Sequence, residues 1–281
     1  HAGPKEALLA DTRALVGRNV RDVMPEAAAR TCLQALAEAH QEGQSRGARL
    51  TLEVASGTRH FELSIGRSRS EAGDGHHLLV LSRDVTPIVE QERALAHEAR
   101  LSAALLTLPD ASRRLSEQEV LRHALEQACE LTDSTVAVGY LVTAESLTGG
   151  ASPGWTSAAV SRDPALAAPW QDQVPVQPWA QALQQHTLCL NQLEARHPLL
   201  TRWLAVPVIE DGQVRAVVGV GNKATGYDPR DQQTLRTLAD RLWSALDRRR
   251  QERALQAKQA ELDHFFSANL DLFCIGDTQG T

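Results

Sequence analysis

Two apolar β-runs flank an Asp-Gly pair: Trp203-Leu-Ala-Val-Pro-Val-Ile-Glu210, then Asp211-Gly212, then Gln213-Val-Arg-Ala-Val-Val-Gly-Val220. An Asp-Gly dipeptide readily takes up the positive φ angles of a tight hairpin turn, so the segment reads as two antiparallel strands. Whatever else the chain does, it folds around an antiparallel sheet with something packed on it.

The helices that could cover such a sheet lie on either side. Asp228 is placed as an N-cap with Pro229 at the first helical position, and the helix that follows carries Leu235, Leu238, Leu242 and Leu246 on one face. It continues through Arg248-Arg249-Arg250 to about Leu262, with Leu255 and Leu262 seven apart and Arg249 and Glu252 interrupting the apolar seam. Upstream, Ser116 and Glu119 form a capping box ahead of Val120, Leu121, Leu125 and Cys129. Between them, Val136, Val138, Tyr140 and Val142 alternate as one face of a strand. The stretch from Ser146 to Pro178 is irregular and rich in Gly, Pro and Trp, and is the place for a lid over a ligand.

The first third repeats this plan on a smaller scale. A helix from Ala27 to about Gln41 places Ala28, Cys32, Leu36 and Ala39 at helical spacing after the turn at Pro25. Three strands follow, with Leu50, Leu52 and Val54, then Phe61, Leu63 and Ile65, then the continuous run Leu78 to Leu81, separated by turns at Gly57 and at Gly73-Asp74-Gly75. From Ile88 to Leu106 the chain is charged and free of turn residues, which predicts an exposed or dimeric linker helix. The fold class is therefore α+β, with two antiparallel sheets joined by long helices.

Composition removes several functions. The 29 Lys and Arg against 35 Asp and Glu give a formal charge of -6, with no segregated basic face, so nucleic acid is not an expected partner. No run approaches the roughly 18 apolar residues of a membrane span. Cys32, Cys129, Cys189 and Cys274 are widely spaced, which predicts neither a disulfide framework nor a zinc site and fits a cytoplasmic setting. His76-His77 is the one adjacent pair among ten histidines, and strand neighbours point to opposite faces, so no metal is assigned. Gly219-Val-Gly221 lacks the third glycine and the strand-to-helix context of a phosphate loop. No Ser-His-Asp set, phosphoacceptor or cyclase motif can be assembled, and no catalytic residue or cofactor is named.

Residues Leu15 to Pro25, the helix after them and the close at Ser82-Arg-Asp-Val-Thr86 resemble the later two thirds of a PAS domain, whose last strand ends in an Asp-hydrophobic-Thr signature. That resemblance gives Asp84 and Thr86 the role of fastening the sheet to the outgoing helix. Residues from about Ser116 to Arg250 resemble a GAF domain, most specifically at Val217-Val-Gly-Val-Gly-Asn-Lys223 with Tyr227, Asp228 and Asp231. Tyr227 replaces the usual Phe, and Gln232 stands where Glu is usual, which argues against cyclic-nucleotide binding. Lys223 and Asp231 read better as an internal ion pair than as ligand contacts. The segment Glu261 to Asp277 looks like the lead-in helix and first strand of another PAS domain.

The resulting division is 1–87 for a PAS-like domain lacking its first strands, 88–114 for a linker helix, 115–250 for the GAF domain, 251–262 for an exit helix and 263–281 for the start of a second PAS domain. The resemblances imply a non-catalytic sensory piece of a longer bacterial signalling protein. Its output would be a diguanylate cyclase, a cyclic-di-GMP phosphodiesterase or a two-component histidine kinase encoded beyond it. A homodimer through the linker helices, as a coiled coil, is expected. Tyr140, Trp155 and Trp179 are the side chains assigned to a small ligand, because aromatics beside an irregular lid offer much contact area. Two other readings stay open: a ligand-free scaffold that dimerises and transmits, and a GAF-fold redox enzyme using Cys129 or Cys189.

Overall fold

Asn19 accepts a hydrogen bond from the Arg21 N–H and opens a single turn, α1 (Val20–Val23). The longer α2 (Glu26–Glu42) ends at Gly43, whose φ of 86° is the left-handed geometry that closes helices most cheaply in glycine. The computed structural model describes residues 17–54, 57–69, 76–142, 155–163, 182, 189–191 and 200–268, and divides the chain into two compact units, 1–96 and 97–281.

In the first unit, β1 (Gln44–Val54), β2 (Gly57–Arg69) and β3 (His76–Asp84) form an antiparallel sheet in sequence order. Alternation decides which residues meet α2. Leu50, Leu52, Phe61, Leu63 and Ile65 are buried against Ala28, Cys32, Ala35 and Ala39. The run Leu78 to Leu81 does become a strand, but Leu79, Val80 and Leu81 stay exposed. Leu79 and Leu81 pair with Gly66 and Ser64, on the sheet face away from the one that Leu63 and Ile65 bury against α2, and among the described residues nothing covers them.

The next helix, α3 (Thr86–Arg114), starts in the first unit, and its residues from His97 onward belong to the second. In its second half Ala104, Leu108 and Ser112 are buried, so this part is a packed core helix as well as a connector. The helix α4 (Glu117–Leu131) begins with the capping box in place: the Ser116 N–H donates to Glu119 Oε2 (2.8 Å) and the Glu119 N–H to Ser116 Oγ (3.3 Å).

A second antiparallel sheet contains β4 (Val136–Val142), β5 (Trp155–Ser161), β6 (Cys189–Asn191), β7 (Trp203–Glu210) and β8 (Gln213–Gly221), in the spatial order β5-β4-β8-β7-β6. The hairpin of β7 and β8 turns at Asp211 and Gly212, with φ of 52° and 72°. β4 is buried along its full length, with Val136, Val138 and Tyr140 in one core and Ala137 and Leu141 in the other. Gly139 explains how closely α4 approaches it: a Cβ there would lie 2.6 Å from Leu121 Cδ1. The last helix, α5 (Pro229–Ala268), runs beyond the expected end at Leu262, and residues 269–281, with most of the second PAS segment, lie outside the described residues.

Candidate functional site

The five-stranded sheet has two unlike faces. One face, with Ala137, Leu141, Leu204, Val206, Val218 and Val220, is closed by α4 and by Leu235, Leu238, Leu242 and Leu246 of α5. The other carries Val136, Val138, Tyr140, Trp203, Ala205 and Val217, against which Ala182, Cys189 and Leu200 are buried. Those last three come from the connection between β5 and β7, after the Ser146 to Pro178 stretch assigned above to a lid, and the described residues of that stretch include the strand β5 rather than irregular chain alone.

Tyr140 is buried on this second face, where desolvation pushes its phenol up to about 12. Trp155, across from Val142 at the start of β5, is half-buried and packs against the cores of both faces. Trp179 lies outside the described residues. Two of the three aromatic candidates thus sit on the sheet, with Tyr140 on the face opposite α4 and α5.

The strand β8 passes into α5 through a dense polar junction. Asn222 takes φ of 62°, a left-handed geometry that Asn tolerates better than most residues. Its Oδ1 accepts from the Thr201 N–H (2.9 Å) and its own N–H donates to Arg202 O (2.9 Å). Lys223 Nζ donates to both carboxylate oxygens of Asp231, at 2.8 and 2.6 Å. Asp228 and Asp231 cap one another: the Asp231 N–H donates to Asp228 Oδ1 (2.8 Å) and the Asp228 N–H to Asp231 Oδ2 (2.9 Å). Both charges are mostly buried, with side chains 13% and 6% exposed, so each needs the other. Tyr227 extends the junction inward: its hydroxyl is 2.9 Å from Ser134 Oγ, which is 2.8 Å from Thr132 Oγ1, which donates to Ala128 O. Burial raises the Tyr227 pKa well above the usual phenol range, so this chain of hydroxyls stays neutral.

The first unit makes its own strand-to-helix junction with fewer groups. The Thr86 N–H donates to Asp84 Oδ1 (2.9 Å), and Thr86 Oγ1 accepts from the His60 N–H (2.8 Å). The bonds from the Thr86 side chain and backbone hold the Asp84 carboxyl below the usual carboxylate range.

Besides the Tyr227–Ser134 contact, three more were not foreseen from sequence. Arg249, read above as an interruption of a surface seam, is buried and donates to Leu115 O. Arg250 holds Glu117 through Nε at 2.8 Å and through Nη2, and stacks 5.4 Å from the Trp243 ring centre. Together they tie the start of α4 to the middle of α5. The available signal was spacing: Arg249 falls three residues after Leu246 and seven after Leu242, on the core face. The third contact joins His97 Nε2 of α3 to Thr234 Oγ1 of α5 at 2.9 Å.

Burial pushes the Cys129 thiol up to about 12, far from the reactive thiolate. Among the described residues no group of three His, Cys, Asp or Glu is arranged to hold a metal, and no helix is long and apolar enough to cross a membrane.

Comparison with known proteins places both units. A family model described as the PAS fold matches residues 2–90, and one described as the GAF domain matches residues 114–247. The chain is 27% identical over 227 residues to the methyl sulfide methyltransferase-associated sensor of Methanosarcina acetivorans, covering 74% of this chain and 22% of that protein's length. Similar solved structures include the GAF domain of an Acinetobacter phosphoenolpyruvate-protein phosphotransferase, at 15% identity and TM-score 0.39 over 52% of this chain and 92% of that one. Another is the GAF domain of a putative sensor histidine kinase from Pseudomonas syringae pv. tomato, at 17% identity and TM-score 0.40 over 60% and 99%. The two family models match in sequence order, a PAS fold over residues 2–90 and a GAF domain over residues 114–247, an order consistent with a PAS/GAF sensor.

Proposed function

We propose that the chain is the sensory and regulatory region of a signal-transduction protein of the bacterial type. A small ligand, or a change passed on from upstream, alters packing on the second face of the GAF sheet. The change then travels along α5 to an output domain outside the chain, a diguanylate cyclase, a cyclic-di-GMP phosphodiesterase or a histidine kinase. In this reading Tyr140, Trp155 and Trp179 contact the ligand. Asp84 and Thr86, and Asn222, Lys223, Tyr227 and Asp231, couple sheets to helices, and the region works as a cytoplasmic homodimer without catalysis of its own.

The observation that carries the reading is the division of labour along α5. Its first part supplies Leu235, Leu238, Leu242 and Leu246 to the core, while residues 251–265 are exposed and carry Leu255, Leu262 and Phe265. One unbroken helix therefore begins at a pinned junction, feels the packing of the sheet and ends as an open rod with apolar positions for a second copy. Packed helices move between discrete arrangements rather than deforming continuously, which suits a two-state signal.

A second reading, the ligand-free scaffold, draws on the same face: Ala182, Cys189, Leu200 and Trp203 already bury much of it. Native mass spectrometry of protein purified from its host separates the two. A retained small molecule, lost on substituting Tyr140→Ala, supports sensing; a mass equal to the bare dimer supports the scaffold; a bare monomer rejects both.

A further inference from the structure

Away from the sheet, the last turns of α3 and the middle of α5 enclose a cleft of about 120 Å³. Its charged lining is Arg113 from α3 and Arg241, Arg248, Arg249 and Glu252 from α5. Four guanidinium groups thus face one carboxylate. None of the cations is firmly neutralised. Arg248 meets Glu252 at 3.4 Å and Arg113 meets Asp110 at 3.9 Å, both as largely exposed pairs that contribute little and exchange partners easily.

Arg249 is the unusual member. It is 8% exposed, and among the described residues it makes one hydrogen bond, from Nη1 to Leu115 O. A guanidinium has five N–H donors, so most of its capacity is unused. Glu117, whose charge acts on it, is committed through both oxygens to Arg250. Burial and the neighbouring Arg253 both oppose its charge. A buried cation with spare donors, lining a cleft with three more cations, is a geometry that an added oxyanion would complete. The hydroxyl groups of the cleft do not compete for that anion: Ser112 Oγ donates to Pro109 O and Ser244 Oγ to Asp240 O, each at 2.8 Å.

We propose that this cleft binds the phosphoryl groups of a polyphosphate-bearing small molecule, bridging α3 and α5. Guanidinium forks match phosphate oxygens two at a time, and the excess of three positive charges asks for a polyvalent ligand. The volume is well below the roughly 300–1,000 Å³ of a pocket that engulfs a drug-sized molecule, so the phosphates enter and the rest of the ligand stays outside. The site is independent of the sheet face and its aromatic side chains. Its consequence would be to fix α3 against α5 within the second unit, a second input to the same exit helix.

The full chain titrated calorimetrically with sodium tripolyphosphate near physiological ionic strength should show one saturable site. Arg241 and Arg248 are exposed and outside the core, so Arg241→Gln/Arg248→Gln leaves the melting curve unchanged and lowers affinity at least tenfold. The matched control Arg18→Gln/Arg46→Gln, on exposed arginines of the first unit, leaves affinity unchanged. A nucleoside triphosphate run in parallel assigns the source: equal affinity means the phosphate chain alone is read, tighter binding means a nucleotide. No saturable binding, or an equal loss in both double variants, overturns the site and reduces the cleft to general charge attraction.

Discussion

The two sheets of this chain start from similar apolar patterns and end with different amounts of cover. In the GAF sheet, β4 is buried from Val136 to Val142, because α4 and α5 close one face and residues such as Ala182 and Leu200 close the other. In the PAS sheet, α2 closes one face, while on β3 Leu79 and Leu81 remain 73% and 66% exposed among the described residues. An apolar run thus specifies a strand, but a partner layer decides whether that strand contributes to stability. The junctions differ in the same sense: the GAF strand enters its helix through a buried ion pair, the PAS strand through a partly exposed Asp and a Thr hydroxyl.

This contrast can be broken most sharply at the GAF junction. Asp231→Asn leaves the Lys223 ammonium buried without its counter-charge, and removing one partner of such a pair costs about 3–5 kcal/mol. All five tryptophans lie at or after position 155, so tryptophan fluorescence in urea follows the second unit alone. A loss below about 1 kcal/mol would mean that the pair is solvated and the two junctions are equivalent.

Next in size is Gly139→Ala. The added methyl meets Leu121 Cδ1 at 2.6 Å and Leu125 Cδ2 at 3.3 Å, in a core with little room to yield. Overpacking of this kind costs about 1–3 kcal/mol. Gly66→Ala in the PAS sheet, where a Cβ has nothing within 4 Å, makes the paired control and should leave stability nearly unchanged. Equal effects in the two variants would refute the difference in cover.

Acid should weaken both units in the same direction, with separable causes. Glu117 is held below the usual carboxylate range by its hydrogen bonds to Arg250, and Asp84 by those from Thr86. A depressed folded pKa means the unfolded chain takes up the proton first. The stabilisation is therefore complete above the unfolded value, near 4.5 for Glu117, and is lost as pH falls through the folded value. Glu117→Gln should flatten that acid limb in the fluorescence-detected melting of the second unit. An unchanged limb would show that the Arg250 contact contributes no linkage.

Legibility in the sequence followed the range of the interaction. The Asp211-Gly212 turn, the Ser116–Glu119 box and the Asp228-Pro229 helix start rest on chemistry within four residues, and each is found where the sequence places it. The Lys223–Asp231 pair, eight residues apart, was readable from its position between strand and helix. Tyr227 meeting Ser134 and Arg250 meeting Glu117 span 93 and 133 residues, and no local pattern encodes them. Arg249 misled because charge suggests solvent, whereas its helical phase with Leu242 and Leu246 puts it inside. The run Leu78 to Leu81 was readable as a strand, whereas the exposure of Leu79 and Leu81 depends on which sheet face a partner layer covers, and no local pattern encodes that.

The smallest expected effect tests that last point directly. Leu79→Ser and Leu81→Ser each remove apolar surface that already contacts water, so neither strips area from a core, and surface changes of this kind usually stay within about 0.5 kcal/mol. Far-UV circular dichroism melting should therefore be unchanged, while light scattering on heating should fall, because an exposed apolar strand edge is a site for pairing with other chains. A destabilisation above about 1 kcal/mol in either variant would instead mean that β3 is covered in solution. The two sheets would then be alike in the one respect that most separates them here.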